Sequence, residues 1–482
     1  MNRFFEKKSL HYCLAVIFFF LFYFPLNAQQ ISVKVHLRGV FESKISLLPL
    51  AGSNALKVLV EKSGVKSGET ATILIPVDKL PGEFVMRFDY KEKESSTPYP
   101  SEKHIIIYNQ NLELWVNPPY CNNGDSTYFQ KDEKENTLYA QFTKENGKQK
   151  EKLSLLQNFL MSYDSTSSMF YQQGIYEYKK RCNAYNKWIK EQSVQNQTFF
   201  ISHSFRFQYV PQIEFQGSEA DRAKNVITHY FDGIDFNDTL LMRTSTLKEW
   251  MDGYVNLYGA MATSIALRDS LFSAAGKAAV EKAKLGHPLV YGWMVDYFFK
   301  GYESTGIDAG MKVLEPYVND PNCMTSKRLE ILKRLNAIKT LVAGTKAPDI
   351  VLKDAAGNDF ELSKMDAEGK NILLLFWSAS CSHCAETVAK LYPLSQQADV
   401  KQKLKIIAIS MDETTTEVND WNKKIIELKD WKHMRAEKGV NSIVANDYAI
   451  LSTPVMFLLD GKTKTIKATP NDVEQLKKEL EK

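Results

Sequence analysis

A chain of 482 residues has room for about three domains of ordinary size. With 44% hydrophobic and 24% charged residues it sits near the globular average, which excludes a disordered, collagen-like or polytopic membrane protein. Lys plus Arg number 61 against 57 for Asp plus Glu, and a net charge of +4 leaves no electrostatic footprint for nucleic acid or an anionic membrane. Six cysteines are too few for a disulfide scaffold in so long a chain, so any thiol chemistry must be local.

At the start, Arg3, Lys7 and Lys8 precede an apolar run over 12–24 that Pro25 stops. The run is shorter than the ~20 residues a bilayer span needs, and Leu26-Asn27-Ala28 ends in the small residue a signal peptidase prefers. Residues 1–28 therefore read as a signal peptide cleaved after Ala28, which sends the chain to the periplasm or cell envelope. An uncleaved anchor is the alternative, and the one case in which a membrane would be a partner. Cleavage removes Cys13 and leaves Cys121, Cys182, Cys323, Cys381 and Cys384, an odd number.

From Ile31 to Val116 the hydrophobic period is two: Val33, Val35 and Leu37 alternate with Ser32, Lys34 and His36, and Phe84, Met86 and Phe88 alternate with Val85, Arg87 and Asp89. Turn clusters at Lys62-Ser63-Gly64, Pro81-Gly82 and Asn117-Pro118-Pro119 separate further short runs, so 29–118 reads as a small antiparallel β-sandwich. Beyond it the period becomes helical. Leu156, Phe159, Leu160 and Tyr163 share a face, and Tyr171, Ile175, Tyr178, Cys182, Tyr185 and Ile189 form a longer stripe. Further helical stretches are expected at 221–230, 247–258, 274–283 and 325–340, making 119–342 an all-α domain. Cys182 reads as a small core residue. His203, His229 and His287 lack metal-ligand spacing and read as structural, so no metal site is expected.

Gly344 to Pro348 reads as a linker, after which strands (372–377, 405–410, 455–459) alternate with helices (382–397, 416–428, 471–480): an α/β domain over 343–482. Cys381-Ser382-His383-Cys384 stands directly after the first buried strand, where the next helix begins. A cysteine there meets unpaired helix amides and the positive end of the helix dipole, which favour the thiolate, so Cys381 reads as the nucleophile. Cys384, one turn on, is placed to resolve a mixed disulfide. A zinc site lacks a second ligand pair, and haem attachment lacks a histidine after Cys384, where Ala385 stands. An inert structural disulfide remains an alternative, though so short a loop confers little stability. His383, between the cysteines, is a candidate to modulate the thiolate.

From Gly344 on, Lys346-Ala347-Pro348-Asp349, the run from Gly369 through Trp377, the Cys-Ser-His-Cys site and Ser452-Thr453-Pro454-Val455-Met456-Phe457 resemble the thioredoxin-fold proteins of the TlpA/ResA type. The resemblance covers about the last third of the chain. It implies a cis-proline at Pro454 facing the dithiol, a Thr453 whose backbone meets bound substrate, and Trp377 as the aromatic residue before the active loop. It also implies no cofactor beyond the dithiol, and as partners protein thiols or disulfides with an upstream electron donor or acceptor. Two positions depart from the pattern. Leu375 stands where thioredoxin keeps a buried aspartate, and Thr387 where TlpA/ResA proteins keep a glutamate, with Glu386 one residue early as the nearest carboxyl group. The front two thirds look, less specifically, like the β and helical modules that precede thioredoxin domains in exported bacteroidete-type proteins.

The reading is thus an exported thiol-disulfide oxidoreductase. Two alternatives stay open: a peroxiredoxin-like peroxidase, for which Ser378 occupies the hydroxyl position but Leu374 replaces the expected proline, and a binding protein using the fold as scaffold.

Overall fold

The computed structural model describes residues 31–52, 55–215 and 217–482; the expected signal segment 1–28 lies outside them. Among the described residues no helix is long and apolar enough to cross a membrane. The chain divides into two compact units, Met1–Leu257 and Tyr258–Lys482.

The first unit opens with β1 (Ser32–Leu37), β2 (Glu42–Pro49), β3 (Val60–Lys66), β4 (Thr70–Leu74), β5 (Gly82–Lys91), β6 (Tyr99–Ile107), β7 (Leu112–Val116) and β8 (Tyr128–Phe129). They form two four-stranded sheets, in the orders β4-β1-β7-β8 and β3-β2-β5-β6. Strand alternation turns Val33, Val35 and Leu37 of one sheet and Ile45, Leu47, Phe84, Met86 and Phe88 of the other into a single core. This is the expected sandwich with one correction to its antiparallel character: β1 and β7 run parallel, Val33 opposite Leu112 and Leu37 opposite Val116. Five other strands intervene in the chain between these two, so no hairpin obliges them to be antiparallel.

Helices Glu135–Ser162 and Met169–Gln195 follow. The stripe Tyr171, Tyr178, Cys182, Tyr185 and Ile189 is buried along the second of them, as a 3.6-residue period requires. Burial pushes the Cys182 thiol up to about 11, so it stays protonated at neutral pH and acts as a small apolar core residue. His203 and His229 are held by Asp238 and Asp232, at 2.5 and 2.7 Å.

In the second unit the helices Ile265–Ala283, Pro288–Thr305, Asp308–Val318 and Arg328–Thr340 precede the sheet. The helix Pro288–Thr305 buries Val290, Tyr291, Met294, Val295, Phe298 and Phe299 on one broad face, but Leu289, Trp293 and Tyr297 on the other side blur its apolar stripe in the sequence. Its end signals are nevertheless plain. His287 caps the first turn, accepting from the Leu289 amide at 3.2 Å, Pro288 takes the first helical position, and Gly306 closes the last turn at φ 67°.

A small hairpin, β9 (Val351–Lys353) and β10 (Asp359–Glu361), leads into the five-stranded sheet β13-β12-β11-β14-β15. Its strands are β11 (Asn371–Trp377), β12 (Leu404–Ser410), β13 (Lys432–Arg435), β14 (Val455–Leu459) and β15 (Ile466–Ala468). β11 lies at the centre, parallel to β12 and antiparallel to β14. Leu374 and Phe376 enter the core on one face, while Leu373, Leu375 and Trp377 enter the other together with Cys384, Val388 and Leu391 of the helix Ser382–Gln396. A strand covered on both faces has no polar side, which is why 372–377 reads as an unbroken apolar run. The class is the expected one: N-terminal β-sandwich, central helices, C-terminal thioredoxin-like α/β fold.

Candidate active site

Sheet register assembles the site. Phe376 pairs with Val455 across the antiparallel β11–β14 ladder, so the next residues outward, Trp377 and Pro454, leave the sheet side by side. On the other flank Trp377 pairs with Ser410 across the parallel β11–β12 ladder, and the Met411 amide donates to the Trp377 carbonyl at 2.8 Å. The carboxyl ends of the parallel strands and the turn before β14 thus converge on the segment 378–381. Ligand and reaction sites of open α/β sheets gather at such an edge.

Cys381 is the N-cap of the helix Ser382–Gln396, with extended backbone at φ −93° and ψ 122°. Its Sγ accepts from the Cys384 amide at 3.3 Å, so the sulfur occupies the place where a helix N-terminus receives negative charge. Cys381 is half-buried and Cys384 fully buried, and both are free thiols. The Thr453–Pro454 bond is cis, as expected for Pro454. Thr453 then faces the dithiol. Its carbonyl accepts from Cys381 Sγ at 3.5 Å, and its side chain favours the Cys384 thiolate.

Burial, reinforced by the hydrogen bond to Cys381, pushes the Cys384 thiol up to about 12, while the Thr453 hydroxyl and the Ser378 backbone pull the other way. Cys384 is therefore protonated throughout the physiological range. Release of a mixed disulfide that depends on it should accelerate as pH rises through 9, without a plateau in that range. Replacing Thr453 by Val removes a donor that stabilises the developing Cys384 thiolate. Release should slow roughly fivefold, the equivalent of about 1 kcal/mol for one hydrogen bond. Stopped-flow decay of a preformed Cys381 adduct checks this, and an unchanged rate and pH profile would contradict it.

The other residues singled out from sequence fall in different places. Trp377 is 2% exposed and belongs to the core beneath the helix, not to the surface that substrate reaches. His383 and Glu386 are exposed on the first turns of the helix and line a groove beside the dithiol. Glu386 is not among the partners of the Cys384 thiol. Two residues beyond Cys384 on a helix is a rotation of about 200°, so its carboxyl group faces away. Thr387, at the position facing Cys384's side, spends its hydroxyl on the His383 carbonyl at 3.0 Å.

One residue escaped the sequence reading. Asp412, 1% exposed, lies just past β12. Its carboxyl group accepts from Ser378 Oγ at 2.5 Å, the Ala379 amide at 3.1 Å and Ser410 Oγ at 2.6 Å. It ties the segment leading to Cys381 to the end of the neighbouring strand. It also engages the Ser378 hydroxyl that a peroxidase would turn toward its sulfur. The signal available beforehand was a charged residue two positions beyond the largely apolar strand Leu404–Ser410, at the carboxyl end of a parallel strand pair.

Comparison with known proteins decides the family. A family model described as thioredoxin-like matches residues 369–465. The thiol-disulfide oxidoreductase ResA of Geobacillus thermodenitrificans is 31% identical over 156 residues, spanning 30% of this chain and 79% of that protein. The chain belongs to the ResA-type thiol-disulfide oxidoreductases. ResA of Bacillus subtilis is 28% identical over 138 residues, covering 27% of this chain and 68% of that one. Among solved structures, the thioredoxin domain of a thiol-disulfide oxidoreductase from Bacteroides vulgatus aligns at 28% identity and a TM-score of 0.26, over 30% of this chain and 97% of that one. As a ResA-type oxidoreductase the protein is an enzyme of thiol-disulfide exchange, and the match lies in the part of the chain that carries the Cys381–Cys384 arrangement.

Proposed function

We propose that this ResA-type enzyme is exported and exchanges disulfides with protein substrates through Cys381, Ser382, His383 and Cys384. The observation that carries the assignment is the setting of Cys381 Sγ, which accepts from the Cys384 amide at 3.3 Å at a helix N-terminus and meets the Thr453 carbonyl beside the cis-proline at 3.5 Å. The Cys381 thiolate attacks one sulfur of a substrate disulfide, forming a Cys381–substrate disulfide, and the other substrate sulfur leaves as a thiolate and takes a proton from solvent. Cys384 then attacks Cys381 Sγ, passing its proton to the departing substrate sulfur. The result is two substrate thiols and a Cys381–Cys384 disulfide, a transfer of two electrons and two protons. In the oxidising direction the same steps run backwards. The electrons reside in the dithiol itself, so the reading requires no dissociable cofactor, only an upstream donor or acceptor that resets the pair.

Export rests on the basic residues Arg3, Lys7 and Lys8, the apolar run over 12–24 and Ala28, and implies the periplasm or cell envelope, where disulfide chemistry is sustained. The Cys381 position supports the nucleophile, and burial of Cys384 supports the resolving role. Trp377 supports the loop from beneath. The assay is reduction of insulin disulfides by the dithiothreitol-reduced protein, compared with its Cys381→Ser variant. Turnover that vanishes in the variant is expected; turnover that survives it, or none in either protein, would contradict the assignment.

A further inference from the structure

Beside the dithiol, inside the second unit, runs a groove of about 530 Å³. One side is the thioredoxin-like part: His383 and Thr387 of the active-site helix, and Thr453 and Pro454. The opposite side is built from chain outside the matched residues 369–465. Glu303 and Ser304 end the helix Pro288–Thr305, and Asn471, Asp472 and Glu474 begin the helix Val473–Glu481. These two elements pack together, since a Cβ built on Gly306 would lie 3.4 Å from Asn471 Nδ2. The helix that ends at Thr305 therefore gives the dithiol a second wall.

The groove carries more negative than positive charge. Glu303 is engaged by Arg334 at 3.0 Å, and Asp472 caps its helix by accepting from the Gln475 amide at 2.7 Å. Glu386 and Glu474 have no ion-pair partner among the described residues, and Lys390 is the one lysine or arginine on the lining. A volume within the ~300–1,000 Å³ of ordinary ligand sites leaves room for a few residues of extended chain.

The geometry points to a substrate groove in which the Glu303–Ser304 helix end and the unpaired Glu386 and Glu474 select polypeptide cysteines flanked by lysine or arginine. This rests on the Cys381–Cys384 reading above and adds the class of substrate that reading leaves open. Cationic flanks would be drawn to the groove and held beside Cys381 while the sulfur exchange proceeds; acidic flanks would be repelled.

The test compares two peptides with the same mixed disulfide to thionitrobenzoate at a central cysteine, one with lysines on both sides and one with glutamates. The reduced full-length enzyme cleaves each, and released thionitrobenzoate is followed by absorbance. The kcat/KM ratio should favour the lysine peptide by roughly three- to thirtyfold at low salt, the yield of two or three exposed charge pairs. It should fall toward one as salt rises, and should collapse in Ser304→Arg and in Glu474→Lys. Because each variant is scored by a ratio, a general loss of activity does not imitate the result. A ratio near one at low salt, or one that both variants leave unchanged, overturns the proposal. Cys381-dependent reduction of 2-hydroxyethyl disulfide in the same preparation then shows that the parent reading survives; its absence overturns both.

Discussion

In a Cys384→Ser variant, substrate should accumulate as a disulfide adduct on Cys381, and steady-state reduction of protein disulfides should fall by roughly a hundredfold or more. Cys384 is within hydrogen-bonding reach of Cys381 and enclosed beneath it, so its attack is intramolecular. Replacing it by serine leaves only external thiol to free the adduct. A neighbouring group held in position can act at effective concentrations on the order of 10⁵ M, so millimolar reductant substitutes poorly. Non-reducing electrophoresis and peptide mass spectrometry read the adduct directly. The complementary Cys381→Ser variant should form none, because its remaining sulfur is buried and remains a thiol until far above neutral pH. Adducts on Cys384 in that variant would reverse the assigned roles.

Asp412→Ala carries the largest expected cost in stability. The substitution deprives the Ser378 hydroxyl, the Ala379 amide and the Ser410 hydroxyl of their acceptor in a buried position. Each unsatisfied buried donor costs about 1–3 kcal/mol, and the two hydroxyls can partly re-aim, so a loss of about 2–5 kcal/mol is expected. For a cooperative unit of this size that lowers Tm by roughly 5–15 °C. Activity should fall further than unfolding accounts for, by roughly tenfold at a temperature where the variant is folded. The anchored segment 378–380 leads directly to Cys381, and small displacements of a reacting group are costly. Calorimetry with a disulfide-reduction assay tests both effects. Ser378→Ala in the Asp412→Ala background should cost less than in the native background, since the two residues share one hydrogen bond. Additive costs would show that the pair does not act as a unit.

How much of this was legible in the sequence depends on the distance over which each feature is specified. The Cys381–Cys384 pair is local: three residues apart, after an apolar strand and at a helix start, its chemistry follows from spacing. The cis Thr453–Pro454 bond followed from the family resemblance, and the structure added that the Thr453 carbonyl meets Cys381 Sγ. Asp412 was not legible, because only the β11–β12 register places it over Ser378, 34 residues earlier in the chain. The parallel pairing of β1 with β7 was hidden for a similar reason, since alternation reports which face is buried but not which neighbour a strand takes. In the helix Pro288–Thr305 the apolar residues Leu289, Trp293 and Tyr297 opposite the buried face blur the stripe, and with it went any sequence sign of the groove's second wall. Glu386 shows the limit of counting along a helix. A carboxyl group one residue from the usual place is rotated about 100° away from that place, and so about 200° round the helix from the thiol it would serve.

The most direct test of the account is a redox titration of the full chain in glutathione or dithiothreitol buffers, with the oxidised fraction of each cysteine read by differential alkylation and mass spectrometry. The predicted result is one two-electron transition, about 30 mV per tenfold change in equilibrium constant. It should be confined to a Cys381–Cys384 disulfide, while buried Cys121, Cys182 and Cys323 remain thiols. Failure of Cys381 and Cys384 to link, or linkage of either to another cysteine of the chain, would contradict it.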